Sequence, residues 1–265
     1  MSETETNEVR SNRELWDNLA RVHVNSQFYD VPGFLKGKSS LGSIELDQLG
    51  DVGGKSVLHL QCHFGLDTLS LARLGASVTG VDFSGVAIEN ARELNDRLGL
   101  DARFIQSDVN QLDKALEGEF DIVYASFGVI GWHADLGKWA RIVSHFLKME
   151  GKFCFAEFHP VLWMFSDDHS KIAYSYFKSE PIICENEKSY ANPDVARMGT
   201  SYCWNHSLGE FFQALESHGL QIKNFKEYDY SPYGFFQDAT EKDGRYYIKG
   251  LEHMLPLVYA LTATK

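Results

Sequence analysis

The spacing of apolar residues changes along the chain in a repeating way. Asn12–Ala20 (NRELWDNLA) puts Leu15, Trp16 and Leu19 on one side and predicts a short amphipathic helix, with residues 1–10 before it read as a frayed tail. His23–Leu41 carries Phe28, Tyr29, Pro32, Gly33 and Gly37, too irregular for one element, and reads as a folded-over cap. From Ser56 the pattern becomes regular. SVLHLQC (Ser56–Cys62) is a β-rich apolar run, His63–Gly65 a turn, and Asp67–Leu74 has helical spacing. Ser77–Phe83 (SVTGVDF) predicts a second strand ending in an acid, followed by a helix with Ser84 as N-cap and Gly99 as stop signal. Arg103–Gln106, Asp121–Ala125 and Lys152–Phe158 predict three more strands, with a helix across Leu136–Leu147 between the last two.

Strands alternating with helices predict a parallel sheet covered on both faces, because parallel neighbours need crossover connections. The expected fold class is α/β, doubly wound. After His159–Pro160 the alternation stops over residues 161–205, a stretch rich in Trp, Tyr, Phe and Ser. That is too long for a simple connection, and its aromatic content predicts an active-site lid. Ser207–His218 resumes as a helix capped by Ser207 and ended by Gly219. Leu220–Tyr230 and Leu257–Thr264 then predict two antiparallel strands at the sheet edge. The organisation expected is an N-terminal helical cap over 1–50 and one domain over 51–265, with the lid inserted at about 161–205.

Composition narrows the partners. A chain of 265 residues, 44% hydrophobic and 23% charged, is globular, with room for one large domain and a lid. Its 25 Lys+Arg against 37 Asp+Glu give a net charge of −12, which repels phosphate backbones and anionic lipid, so a small molecule rather than nucleic acid is expected. No window approaches the roughly 18 to 20 apolar residues of a membrane span, and MSETETNEVR is acidic where a secretory signal is basic then apolar. The expected compartment is the cytoplasm, with no membrane partner. Cys62, Cys154, Cys184 and Cys203 form no C-x-x-C pair, against a zinc knuckle or redox site. Cys62 and Cys154 lie in apolar runs and read as small buried hydrophobes. His59 and His63 are four apart across a strand end, where the helical two-ligand argument fails, so no metal is expected. Nothing in the pattern specifies an oligomeric state.

In an open α/β sheet, ligands bind beyond the carboxyl ends of the strands, where the strand order reverses. Those ends are Gln61–Gly65, Asp82–Phe83, Asp108–Val109, Ser126–Gly128 and Glu157–His159. Asp82 can accept hydrogen bonds from both hydroxyls of a ribose, Phe83 can lie against a purine, and Asp108 can accept from an exocyclic amine. The dinucleotide fingerprint G-x-G-x-x-G is missing: Gln61-x-His63-x-Gly65 supplies only the last small residue, which disfavours NAD and FAD. No Walker loop is present.

The segment VLHLQCHFGLDTLSLARLGASVTGVDFSGVAIENAR (Val57–Arg92) resembles the nucleotide-binding core of class I S-adenosylmethionine-dependent methyltransferases. FDIVYAS at 120–126 and LKMEGKFCFAEFHP at 147–160 resemble later motifs of that family, so the resemblance spans about residues 50–160. It implies a Rossmann-like, mostly parallel seven-stranded sheet with an antiparallel edge strand, and S-adenosylmethionine as cofactor. It also implies that Asp82 holds the ribose, Phe83 flanks the adenine, and Asp108 with the backbone of Val109 holds the adenine edge. Gln61, His63 and Gly65 would pass beneath the methionine portion, with Ser126 near the sulfonium. Three positions depart from the family's pattern: His59 stands where an acid is usual, and Gln61 and His63 where the first two glycines are usual. The segment is similar to a subgroup written LQCHFGLDTLS, in which Gln61 or His63 would make replacement polar contacts.

On the acceptor side, His159 follows the fifth strand in EFHP and is the candidate base, with Glu157 two residues earlier on the same strand face. Trp132, His133, Trp204, His206 and Arg245 are candidates for binding the acceptor, and Trp16 and Tyr29 for closing the cap over the cofactor. The function expected is methyl transfer to an oxygen, nitrogen or sulfur of a small, partly apolar or aromatic molecule. The rival from another class is a binding or regulatory protein that keeps the cofactor fold without turnover.

Overall fold

A computed structural model of the chain describes residues 6–166, 168–178, 180–185, 188–196, 199–234 and 239–265. It opens with helices α1 (Asn7–His23), α2 (Val31–Leu35) and α3 (Ser43–Leu49). The alternating part follows: β1 (Ser56–Leu60), α4 (Leu66–Arg73), β2 (Ser77–Asp82), α5 (Gly85–Leu98), β3 (Arg103–Gln106), β4 (Phe120–Ser126), α6 (Leu136–Phe146) and β5 (Leu147–Phe158). Then come β6 (Ile182–Glu185), β7 (Lys188–Ser189), β8 (Asn192–Ala196), β9 (Thr200–Cys203) and α7 (Leu208–Ser217). The chain finishes with β10 (Gln221–Tyr228), β11 (Ala239–Lys242), β12 (Arg245–Ile248) and β13 (Val258–Thr264).

Seven strands form one sheet in the order β10-β13-β5-β4-β1-β2-β3. β1 pairs in parallel with β2 on one side and β4 on the other, so the direction of winding reverses at β1 and opens a crevice above its carboxyl end. β13 runs antiparallel to both β5 and β10, and β10 and β13 are antiparallel neighbours at one edge, as the pattern over 220–230 and 257–264 predicts. The fold is α/β and doubly wound, with a mostly parallel seven-stranded sheet, as the alternation predicts. Side chains alternate across the sheet with period two. Leu58, Leu60, Phe153 and Phe155 face the layer of α6 and α7, where Trp139, Phe146 and Phe211 fill the core. Val57 and Cys154 face the opposite layer with Leu49, Leu71 and Tyr124.

Helix caps explain most boundaries. Ser84 accepts from Ala87 N to start α5 and Gly99, at φ 61°, ends it; Ser207 starts α7 by accepting from Glu210 N. The expected tail is helical from Asn7, with Thr6 accepting from Val9 N and Glu8 in the first turn; residues 1–5 of that tail lie outside the described residues. The irregular cap segment contains α2, which Asp30 starts by accepting from Gly33 N with Pro32 in its first turn.

The segment after β5 carries two antiparallel hairpins, β6 with β9 and β7 with β8. It is fastened to α1 by the buried Asn12, whose amide nitrogen donates to Tyr202 O (2.8 Å) and whose oxygen accepts from Tyr202 N (2.9 Å).

Trp139, fully buried at the centre of the α6 layer, tests this packing. Trp139→Ala is expected to cost about 3–5 kcal/mol, read as a lower urea midpoint with an unchanged slope.

Candidate functional site

β1 ends at Leu60, and the following turn alternates left-handed residues: Gln61 (φ 54°), His63 (φ 50°) and Gly65 (φ 79°). This is backbone that glycines adopt freely, yet only Gly65 is one. A Cβ there would stand 2.6 Å from the Phe104 ring, so packing against β3 demands glycine. At 61 and 63 the conformation costs about 1 kcal/mol each. Both side chains are held by the protein itself. Gln61 Oε1 accepts from Trp139 Nε1 (3.0 Å) and lies 3.1 Å from His133 Nε2, while its Nε2 donates to Val129 O (2.9 Å). His63 Nε2 lies 3.1 Å from His23 Nδ1, and His23 Nε2 lies 3.0 Å from Ser189 Oγ. Burial, then the neighbouring His23 ring, push the His63 pKa well down.

Asp82 closes β2 and is 7% exposed. Its Oδ2 accepts from His63 N and its Oδ1 from Ser84 N, both at 2.9 Å, so one carboxylate ties the turn after β1 to the start of α5. Burial pushes its pKa up to about 6 against the pull of those N–H groups. The backbone of Phe83 adds a weaker pull of the same sign, and the carboxylate still has acceptor capacity for a ligand. Phe83, Asp108 and Val109 line the same cleft, and Asp108 Oδ1 accepts from Asn110 N (2.9 Å) at the start of a 3-10 turn.

At the end of β4, Ser126 Oγ accepts from Tyr124 OH (2.8 Å) and donates toward Asp67 Oδ2 (3.4 Å). His59 is buried, with Nδ1 2.8 Å from Thr68 Oγ1 and its ring 4.7 Å from that of Tyr124. Burial lowers its pKa to about 3, so the position where the resemblance leads one to expect an acid holds a neutral ring.

The cleft encloses about 2220 Å³, above the roughly 300–1,000 Å³ of a single small-molecule pocket. Helix α1 covers it through Trp16, whose ring lies 5.4 Å from both His63 and Trp132. Tyr29 packs 5.6 Å from His63 with its hydroxyl 2.5 Å from that of Tyr190. Trp132 Nε1 donates to Gly128 O (2.7 Å), and Trp204 N to Gly131 O (2.8 Å). His133 also faces Asn110 Nδ2 across 3.2 Å, and burial lowers its pKa to about 3. His206 Nε2 lies 2.8 Å from His133 O and its Nδ1 3.1 Å from Glu210.

Three expectations need correction. His159 is not a base facing the cleft: β5 ends at Phe158, and the chain turns as Leu162 N donates to His159 O (2.8 Å), so period-two alternation stops before it. Its Nε2 lies 3.0 Å from Glu227 on β10, and its Nδ1 accepts from Val161 N (3.2 Å). Glu157 lines the cleft, but not as a partner of His159. Its carboxylate accepts from Gly128 N (2.5 Å), Val129 N (2.7 Å), Ile130 N (3.3 Å) and Phe158 N (2.8 Å), stapling the loop after β4. Arg245 lies on the exposed β11–β12 hairpin with its guanidinium 4.5 Å over the Tyr230 ring, outside the cleft lining. Sequence reasoning missed His23, Asp67, Tyr190 and Asp17, whose Oδ1 accepts from Ser84 Oγ (2.6 Å). Asp67 had a readable signal, an acid in the first turn of the helix after the loop; His23 and Tyr190 arrive only through tertiary contact.

Residues 57–151 match a family described as a methyltransferase domain. The chain is 29% identical over 104 residues to the ubiquinone biosynthesis O-methyltransferase of Erwinia tasmaniensis, covering 38% of this chain and 43% of that protein. It is 28% identical over 120 residues to the enzyme of the same name from Nitrosococcus oceani, covering 44% and 51%. The match thus spans about half the length of these relatives. Among solved structures, geranyl diphosphate C-methyltransferase from Streptomyces coelicolor superposes with a TM-score of 0.61 at 15% identity, covering 98% of each chain. A putative S-adenosylmethionine-dependent methyltransferase from Listeria monocytogenes gives 0.59 at 20% identity, covering 84% of this chain and 98% of that one. At these identities the structural likeness establishes the fold.

Gln61→Gly separates strain from bonding. Relief of the left-handed residue returns about 1 kcal/mol, whereas the Trp139 and His133 donors left without Gln61 Oε1 cost about 1–3 kcal/mol each. The expected net result is destabilisation by about 1–5 kcal/mol in urea unfolding; a gain in stability would show the side chain to be dispensable.

Proposed function

We propose that the protein is an S-adenosylmethionine-dependent methyltransferase acting on an oxygen, nitrogen or sulfur of a small, partly apolar or aromatic molecule. The observation that carries this reading is Asp82: a buried carboxylate at the end of β2, beside Phe83 and tied to the turn that leaves β1 at the reversal of the sheet, with acceptor capacity to spare. The cleft's volume supports room for a nucleoside cofactor and an acceptor together. The methyltransferase-domain match over 57–151 and the relatives named for methyl transfer support the same chemistry.

The residues suit that cofactor. S-adenosylmethionine, when bound, supplies an electrophilic methyl on an excellent leaving group. Asp82 would accept the ribose hydroxyls, Phe83 flank the adenine, and Asp108 with the backbone of Val109 hold its edge. Gln61, His63 and Gly65 would pass beneath the methionine portion, and Ser126 would lie near the sulfonium side. Trp16 and Tyr29 close over the turn from α1 and the cap, and Trp132, Trp204, His133 and His206 wall the acceptor side. Segment 161–205, clamped to α1 through Asn12, is the proposed lid. The task of these groups is to align the reactants and exclude water. The spelling LQCHFGLDTLS marks a subgroup in which side chains take the place of glycines. No helix among the described residues is long and apolar enough to cross a membrane; the cytoplasm is the proposed compartment.

Titration calorimetry with S-adenosylmethionine and S-adenosylhomocysteine tests the reading. Binding is expected, with Asp82→Asn weakening it at least tenfold; no heat at millimolar ligand would end the proposal. Labelled cofactor incubated with a metabolite extract is expected to yield a labelled product, whereas binding without any product would favour the non-catalytic binding protein. The pH dependence has a fixed sign. Asp82, with its pKa raised to about 6, is ionised above that value and protonated below it. Affinity for S-adenosylhomocysteine is therefore expected to be flat above about pH 7 and to fall by about tenfold per unit well below pH 6. A profile that Asp82→Asn leaves unchanged would assign the effect elsewhere.

A further inference from the structure

A group of aromatic rings in the cleft has no task in the reading above. Phe127, directly after Ser126 at the end of β4, sits at φ 45°, a left-handed conformation that bulky residues rarely adopt. The strain is held from both sides: Phe127 N donates to Ala156 O (2.8 Å), and the next residue, Gly128, donates its N–H to Glu157. The Phe127 ring lies 5.3 Å from that of Tyr233 and 5.1 Å from that of Phe158, the last residue of β5. Phe158 lies 6.5 Å from Tyr233, so the three rings make a triangle. Two arms extend it. Phe28, from the cap, lies 5.7 Å from Tyr233, and Trp163, from the segment after β5, lies 5.8 Å from Phe158. All five line the cleft, and the arms are open to it, Phe28 at 38% and Trp163 at 42% exposed. Tyr233 is fixed by the fully buried Ser231, whose Oγ donates to Tyr233 O (2.8 Å) and accepts from Tyr233 N (3.0 Å). Burial, then the charge of Glu45, push the Tyr233 hydroxyl pKa well up, so that ring is neutral like the others.

Backbone strain persists where its surroundings over-determine it, and it gathers at ligand sites. Glycine would meet the backbone requirement at 127 without strain, so the ring is retained for what it touches. It touches a wall assembled from separate segments of the chain: the cap, the ends of β4 and β5, the segment after β5 and the loop after β10. Such a wall in a concave site favours a partner with π faces and edges of its own, because ring-on-ring contacts add to the gain from buried area. A single ring seated on the triangle makes contacts of about 4.5–7 Å there, and a second, fused ring carries them on to an arm. We propose that this aromatic wall seats the methyl acceptor, and that the acceptor is an aromatic molecule of more than one ring whose placement Phe127 sets. The proposal rests on the methyl-transfer reading for the cofactor and narrows the class of acceptor. A one-ring acceptor leaves the arms unused, and an aliphatic one leaves the π contacts unused.

Calorimetry on protein saturated with S-adenosylhomocysteine tests this with three neutral hydroxyl compounds: 2-naphthol, phenol, and 1-octanol, which is comparably apolar to naphthol but not aromatic. Wild type is expected to bind 2-naphthol more tightly than either of the others by about threefold or more. Phe127→Leu and Trp163→Leu remove a ring and keep an apolar side chain. Each is expected to weaken 2-naphthol by about threefold or more while leaving 1-octanol and S-adenosylhomocysteine within about twofold. Naphthol that binds wild type no more tightly than phenol or octanol overturns the proposal. So does a smaller loss of naphthol in both variants, or a loss that octanol shares equally. Should Phe127→Leu lose S-adenosylhomocysteine as well, that ring belongs to the fold; Trp163→Leu, made at a solvent-open position, then decides between the same outcomes alone. Wild type that takes up no S-adenosylhomocysteine fails the methyl-transfer reading itself, a result distinct from cofactor-loaded protein that ignores the loss of the rings.

Discussion

The structure turns on the five residues that leave β1. A strand at the reversal point of a parallel sheet must release its chain sharply, so that the space above its carboxyl end stays open. Here the release is made by three alternating left-handed residues, two of which carry full side chains. The strain is sustained because each side chain is bonded to a different neighbour: Gln61 to the loop after β4 and to α6, and His63 to α1. Asp82 adds a backbone tie from β2. The turn is therefore the junction at which the sheet, the helical layer and the N-terminal cap fix one another.

That arrangement explains how much was legible in the sequence. β1 to β5 and their helices were readable because both faces of a parallel strand are buried, which writes an apolar run into the chain, and because Ser84, Gly99 and Ser207 signal caps locally. The end-of-strand positions were readable for the same reason. Helix α1 was underestimated because its first turn is polar; its buried Asn12 makes sense only with Tyr202 on it, from a strand some 190 residues away. His159 shows the opposite error. Period-two reasoning holds while the strand lasts, and the strand stops one residue short. Arg245 was read as a candidate for binding the acceptor, but its stacking on Tyr230 depends on a hairpin with no counterpart in local pattern.

Burial also decides what the cleft's ionisable groups are able to do. His59, His63 and His133 all have lowered pKa values, and each ring is engaged with another protein group. They act as neutral linkers. Glu157 is anchored by four N–H groups, so its charge is spent on holding the loop that carries Trp132 and His133. Residues that appear as acid–base chemistry in the sequence thus serve as architecture in the fold.

The consequence bears on mechanism. Under methyl transfer the electrophile is supplied by the cofactor, so a site with rigid, neutral histidines is adequate for an acceptor whose nucleophile is already unprotonated. An acceptor that arrives protonated is a different matter, because a proton must leave before attack. The carboxylates of the cleft wall are engaged as well: Asp67 receives Ser126 Oγ and Tyr124 OH, and Glu157 four N–H groups. With rings and carboxylates held by the protein's own donors and acceptors, the cleft selects a ligand by shape and by the acceptor capacity left over, above all at Asp82.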